Sequence, residues 1–96
     1  MKLEFEWDIV KATINVLKHS VSFEEASSVF EAEKILVKFD PIHSLIEERK
    51  IALGPSNQSR LIAVVFTERH QRIRIISARR ASRKEIEQYE VKTRKS

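Results

Sequence analysis

The sequence predicts one α+β domain in which two N-terminal helices pack on a mainly antiparallel sheet and a third helix follows it. Three observations carry this expectation. A chain of 96 residues fits one domain, so 1–96 is read as a single unit. Apolar residues recur at helical spacing as far as Ala32 and then change to short β-type runs. The connections between those runs are too short for the crossovers that parallel neighbours require. The composition agrees, since 42% hydrophobic and 33% charged residues with one Gly and two Pro describe a folded globular chain.

At the start, Leu3, Phe5 and Trp7 alternate with Lys2, Glu4 and Glu6, the period of a short half-buried strand. Asp8 then has the form of a helix N-cap. Val10, Ile14 and Leu17 recur at helical spacing as the expected core stripe, while Lys11, Asn15 and Lys18 form a second stripe expected to be wet. Ser20 breaks the pattern, and Ser22-Phe23-Glu24-Glu25 has the form of a capping box that opens a second helix. Phe23, Ala26 and Phe30 are its expected buried stripe. Four β-type runs follow, over 34–39, 47–53, 60–67 and 72–79. Asp40-Pro41 and Gly54-Pro55-Ser56-Asn57 punctuate them. The run from Leu61 to Phe66 is apolar on both alternating faces and should be a central strand. It is also far short of the roughly 20 residues a membrane-spanning helix needs, so no membrane partner is expected. Ser82-Arg83-Lys84-Glu85 repeats the capping box, and Ile86 and Tyr89 share one side of a last helix expected to fray over 90–96.

Charge is unevenly distributed along the chain. Residues 1–68 carry 8 basic and 11 acidic side chains, whereas 69–96 carry 10 and 3. Seven of those ten cations are Arg, whose planar fork suits phosphate, so nucleic acid is the expected partner. A solvated basic tail, or a basic surface that docks an acidic protein, is the competing reading. With a hairpin turn at Arg69-His70, Arg60 falls opposite Arg79 on one sheet face, so the two opposed cations either hold an anion between them or splay into water. Arg79, Arg80, Arg83 and Lys84 also gather at the start of the last helix, where the helix dipole favours anions.

The titratable groups suited to proton transfer are few: His19, His43, His70 and the single Tyr89. No two histidines are spaced as helical metal ligands, and Cys is absent, which removes disulfides, thiol nucleophiles and thiolate metal sites. One Gly excludes glycine-rich phosphate loops, so neither metal nor cofactor is expected. His19 beside Lys18 is either a helix C-cap or a proton-transfer group. Glu48, between Glu47 and Arg49, is either a surface ion pair or a general base. The first residues lack the apolar core of a signal peptide, and a cytoplasmic location is expected.

Taken in order, these residues resemble the BrnT family of bacterial toxins, ribonucleases encoded beside a BrnA antitoxin. The resemblance runs from Phe5 to Tyr89. It is carried by Phe5-Glu6-Trp7-Asp8 with Lys11 and Asn15, by Lys18 to Ala26, and by Glu47-Glu48-Arg49 with Gly54. Arg60, Thr67-Glu68-Arg69, the segment Arg74 to Ala81, Glu85 and Tyr89 complete it.

The resemblance implies a compact fold similar to the RelE and ParE toxins and growth arrest through metal-independent RNA cleavage, in which the RNA 2′-hydroxyl attacks its own phosphate. It also implies neutralisation by a BrnA-type antitoxin, with DNA met only through that complex. On this reading Arg79, Arg80 and Arg60 hold the phosphate, while Lys18, Arg69, Arg74 and Arg83 bind the RNA backbone. Tyr89 or His19 donates a proton and Glu48 accepts one. Ser20 departs from the family, where glycine is usual, and must take a left-handed turn at some cost. His70-Gln71 replaces a glycine-rich turn. A non-catalytic RNA or DNA binder, or a protein-docking module, would carry the same arginines and leave RNA intact.

Overall fold

The computed structural model describes residues 2–41 and 47–94; His43 lies outside them. In chain order the elements are β1 (Phe5–Glu6), α1 (Ile9–His19), α2 (Phe23–Ser28), a 3₁₀ turn (Val29–Glu31), β2 (Leu36–Phe39), β3 (Lys50–Pro55), β4 (Leu61–Arg69), β5 (Arg72–Arg80) and α3 (Arg83–Arg94). One five-stranded sheet holds the strands in the order β1-β5-β4-β3-β2. Neighbours from β2 to β5 are antiparallel, and β1 joins β5 in parallel, so the sheet is mixed. Helix α1 contacts β5, α2 contacts β5 and β4, and α3 contacts β2 and β3. No described helix is long and apolar enough to cross a membrane.

Local chemistry sets the helix ends. Asp8 accepts from the amides of Val10 at 2.8 Å and Lys11 at 3.1 Å. Ser20 closes α1 in the left-handed region at φ 58°, donating its amide to the Val16 carbonyl at 2.9 Å. Ser22 caps α2 by accepting from the Glu25 amide, but the Glu25 carboxylate turns elsewhere, so this box is only half closed. At α3 both halves close: Ser82 accepts from the Glu85 amide at 3.2 Å, and Glu85 accepts from the Ser82 amide at 2.9 Å. The helix continues to Arg94, with Lys34 donating to the Thr93 carbonyl.

The core lies between α1, α2 and the 3₁₀ turn and one sheet face. Val21, Phe23, Ala26 and Val29 meet Ala52, Ile62, Val64, Phe66, Ile75 and Ala78. Each large side chain withdrawn from water here contributes about 1.5–3 kcal/mol. Phe30 stands edge-on to Phe66 at 5.1 Å, and Trp7 edge-on to Phe23 at 5.9 Å. Gly54 lies inside β3 because a Cβ there would come within 3.0 Å of Ile35 and 3.2 Å of Val29. Gly54 and Pro55 are thus strand rather than turn, and β3 starts at Lys50 rather than at 47.

Two expectations are corrected. In α1 the expected core stripe faces out and Asn15 alone of the polar stripe turns inward, beside Ala12: Val10 and Leu17 are 63% and 80% exposed, and Lys11 and Lys18 stay exposed as expected. The reason is the edge of β5. Strand β1 pairs with β5 only at Ile73 and Arg74, and further along Asn15 takes over. Its amide nitrogen donates to the carbonyls of Ala78 and Val21, both at 2.8 Å, and its oxygen accepts from the Ala78 amide at 3.1 Å. Buried backbone groups require partners, and an inward Asn supplies three bonds where an apolar residue supplies none.

The β4–β5 register is the second correction. Arg69 pairs with Arg72, and the turn is His70-Gln71, with φ 53° and 66°. Phe66 pairs with Ile75 but Val65 pairs with Ser77, so Ile76 is an extra residue, a β-bulge. Arg79 therefore lies opposite Ala63, and Arg60 is not its partner.

Candidate active site

The bulge at Ile76 decides which way Arg79 points. A strand shifted by one residue exchanges its faces. Without the bulge Arg79 would stand opposite Ile62 in the row that faces α2. With it, Arg79 joins the face that α1 and α2 leave uncovered. There Ile51, Val65 and Ser77 stand side by side across β3, β4 and β5.

These three side chains, with Ile76, form the floor of a cleft of about 470 Å³. Its walls are His19 from the end of α1, Arg79 from β5, and Asp40 and Arg49 from the segments flanking β2 and β3. A smaller hollow of about 180 Å³ shares His19, Ile76 and Ser77 and adds Lys11 and Lys18. His19 therefore lies where two Lys and two Arg converge. Lys18 and His19 occupy the last turn of α1, where the helix dipole favours cations.

Arg79 is held in place by Glu85. Its Nη1 and Nη2 donate to the two carboxylate oxygens at 2.7 and 2.9 Å. Hydrogen bonding from Arg79 lowers the Glu85 pKa to about 2, and the same pairing raises that of Arg79. The α3 capping box thus fixes the carboxylate that orients a cleft arginine. A guanidinium has five donors; Glu85 occupies two of them, and Nη1 also makes a long contact of 3.4 Å to the Arg80 carbonyl.

The structure distributes the remaining residues singled out from sequence over several places. Arg60 lies on the α2 side of the sheet, where it pairs with the buried carboxylate of Glu25 and donates to the Ser20 carbonyl at 3.0 Å. Ser56 completes that cluster by donating to Glu25 at 2.6 Å. Arg60 hydrogen bonding outweighs burial and lowers the Glu25 pKa. Arg80 stands opposite Ile62, on the same side as Arg60 and across the sheet from Arg79, and its charge also acts on Glu25. The Tyr89 hydroxyl donates to the Lys34 carbonyl at 2.7 Å. Glu48 is exposed, its carboxylate 4.0 Å from Lys50, and is not among the residues lining the cleft. Arg69 pairs with Glu47 at 2.7 Å and Arg74 with Glu6 at 3.1 Å; Arg83 is exposed in the first turn of α3.

Arg49 and Ser77 line the cleft, and Lys11 the adjoining hollow, without having been singled out as site residues. Their signals were present: Arg49 shares strand parity with Ile51, and Lys11 is one heptad before Lys18. Ser77 had none, because the bulge beside it leaves no mark in composition. Among the described residues no group of three or more His, Asp or Glu side chains converges as metal ligands would.

The comparisons agree with this architecture. No curated protein matches the chain in sequence. Among solved structures, the chain is similar to the Brucella abortus ribonuclease toxin BrnT, known from a 1.1 Å crystal structure, with 26% identity and a TM-score of 0.62. The match covers 85% of this chain and 100% of that one. A profile described as the ribonuclease toxin BrnT of type II toxin-antitoxin systems matches residues 7–85, which span α1, α2, all four long strands and the capping box of α3. The chain therefore belongs to the BrnT family of ribonuclease toxins.

Proposed function

We propose that this chain is a metal-independent endoribonuclease that arrests growth until a BrnA-type antitoxin binds it, with its reaction site in the cleft between α1 and the open sheet face. One observation carries the reading: His19 lines both the cleft, with Arg49, Arg79 and Asp40 as its other charged walls, and the adjoining hollow, with Lys11 and Lys18. Four cations and one carboxylate about the imidazole leave a net positive site, which suits a phosphodiester and the charge it gains in the transition state.

In the proposed step the RNA 2′-oxygen forms a bond to the adjacent phosphorus while the bond from phosphorus to the 5′-oxygen breaks. The 2′-hydroxyl proton passes to water, and protonated His19 gives its proton to the departing 5′-oxygen. The products are a 2′,3′-cyclic phosphate and a 5′-hydroxyl. Arg79 and Arg49 hold the phosphate, and Lys11 and Lys18 bind the neighbouring backbone. DNA lacks the attacking hydroxyl and is not a substrate. Arg60 and Tyr89 have no step in this scheme because their polar groups serve other partners, and Glu48 and Arg80 have none because they lie off the cleft.

The test incubates the purified protein with a defined single-stranded RNA and the matching DNA in EDTA, and reads the RNA ends. RNA-only cleavage to cyclic phosphate ends is expected. His19→Ala should slow it about 10²- to 10⁴-fold. His19 is exposed, so the variant should melt like the parent. Intact RNA with salt-sensitive retention would replace the reading with a non-catalytic binder. Undiminished cleavage by His19→Ala would remove His19 from the mechanism.

A further inference from the structure

The outward side of α1 is not explained by the fold. Ala12 and Asn15 face β5, and directly opposite them Val10 and Leu17 form a bare ridge, with Ile14 beside them. A surface helix places its polar residues outward. Here the apolar stripe, the strongest helical pattern in the sequence, faces out and contributes nothing to the core. Contiguous exposed apolar surface marks an interaction site.

The charges beside the ridge indicate what covers it. Helix α1 contains no Asp or Glu, and Lys11 and Lys18 flank Val10, Ile14 and Leu17 on the side toward the cleft. A second copy of this chain would bring four lysines together across a helix pair, an arrangement that opposes association. A helix with an apolar ridge and an acidic flank would bury Val10 and Leu17 and pair its carboxylates with Lys11 and Lys18. Ile14 and both lysines also line the hollow that His19 shares. An occupant of the ridge would thus close one wall of the proposed reaction site and neutralise two of its cations.

We propose that the Val10–Ile14–Leu17 ridge of α1 is the seat of the antitoxin, taken up by an acidic amphipathic helix whose carboxylates engage Lys11 and Lys18 and so silence the adjoining cleft. The silencing rests on the function proposed above; the docking does not.

The experiment measures binding of the cognate antitoxin to the parent, to Val10→Glu Leu17→Glu, and to Val37→Glu, which alters an exposed apolar residue on β2 far from the ridge. RNA cleavage is followed in the same samples. Neither Val10 nor Leu17 supports the core or lines the cleft, so the double variant should fold and cleave like the parent. Its affinity for the antitoxin should fall about a hundredfold or more, as expected for losing two central anchors. Its cleavage should then persist at antitoxin concentrations that silence the parent. Val37→Glu should bind as the parent does. Parent-like affinity in the double variant would overturn the proposal, as would a parent that dimerises through the ridge by sedimentation and becomes monomeric in the variant. Absence of RNA cleavage in every sample would refute the proposed function while leaving the docking measurement readable.

Discussion

Arg60 and Arg79 each hold a carboxylate that folding has taken out of water, and this separates their roles. The Glu25 side chain is 1% exposed and has Arg60 and Ser56 as partners. Removing Arg60 leaves that charge buried beside a lone hydroxyl, so Arg60→Ala should cost about 3–5 kcal/mol of stability. Urea unfolding measures it, and lost RNA cleavage in that variant would report the fold. Glu85 gives a pH signature. Its pKa falls from the ordinary 4.5 to about 2, mainly through Arg79. The folded state then binds fewer protons than the unfolded state between those values, so the contribution is full above pH 4.5 and is lost as pH falls toward 2. Glu85→Gln should lower the melting temperature at pH 7 and flatten its acid limb below 4.5. An unchanged acid limb would show that the Arg79 pairing does not hold in solution.

At the scale of elements, the order of strands and helices was legible because its signals are local. Asp8, Ser22 and Ser82 cap helices where a short acceptor precedes an apolar run, and the two-sided apolar run of β4 marks a central strand. What was not legible depends on distant partners. Periodicity revealed both stripes of α1 but not that Asn15 alone of them turns inward, since it is selected by the backbone of Ala78, 63 residues away. The register of β5 was hidden for a related reason. The His70-Gln71 turn holds two positive φ values without Gly or Asn, and the bulge at Ile76 has no Gly or Pro to announce it. The site inherits both errors, because α1 supplies His19 and the bulge aims Arg79. Asn15→Ala should cost about 3 kcal/mol, the sum expected when an exchanged amide leaves backbone groups of Ala78 and Val21 unpaired. Chemical denaturation checks it, and a loss below 1 kcal/mol would mean that water replaces the amide.

Across the whole molecule, the charge asymmetry of the sequence does not survive folding. The C-terminal quarter carries most of the arginines, yet Arg69, Arg72 and Arg74 meet Glu47, Glu4 and Glu6 from the acidic part of the chain. Strand β1 brings two of those carboxylates to β5, which is one reason a two-residue strand sits at the sheet edge. Arg79 is balanced within its own segment by Glu85. Which cations gather on the cleft is set by position along α1 and the sheet and not by their share of the sequence. Composition therefore indicated an anionic partner without locating it.

Trp7, the only tryptophan, is packed edge-on to Phe23 on the side of the sheet away from the cleft. Its indole is thus a built-in optical reporter of the helical layer alone. Emission will shift when Phe23 and Trp7 part on unfolding, and it will stay still while RNA comes and goes on the opposite face, so one spectrum separates loss of structure from loss of RNA binding in the cleft variants.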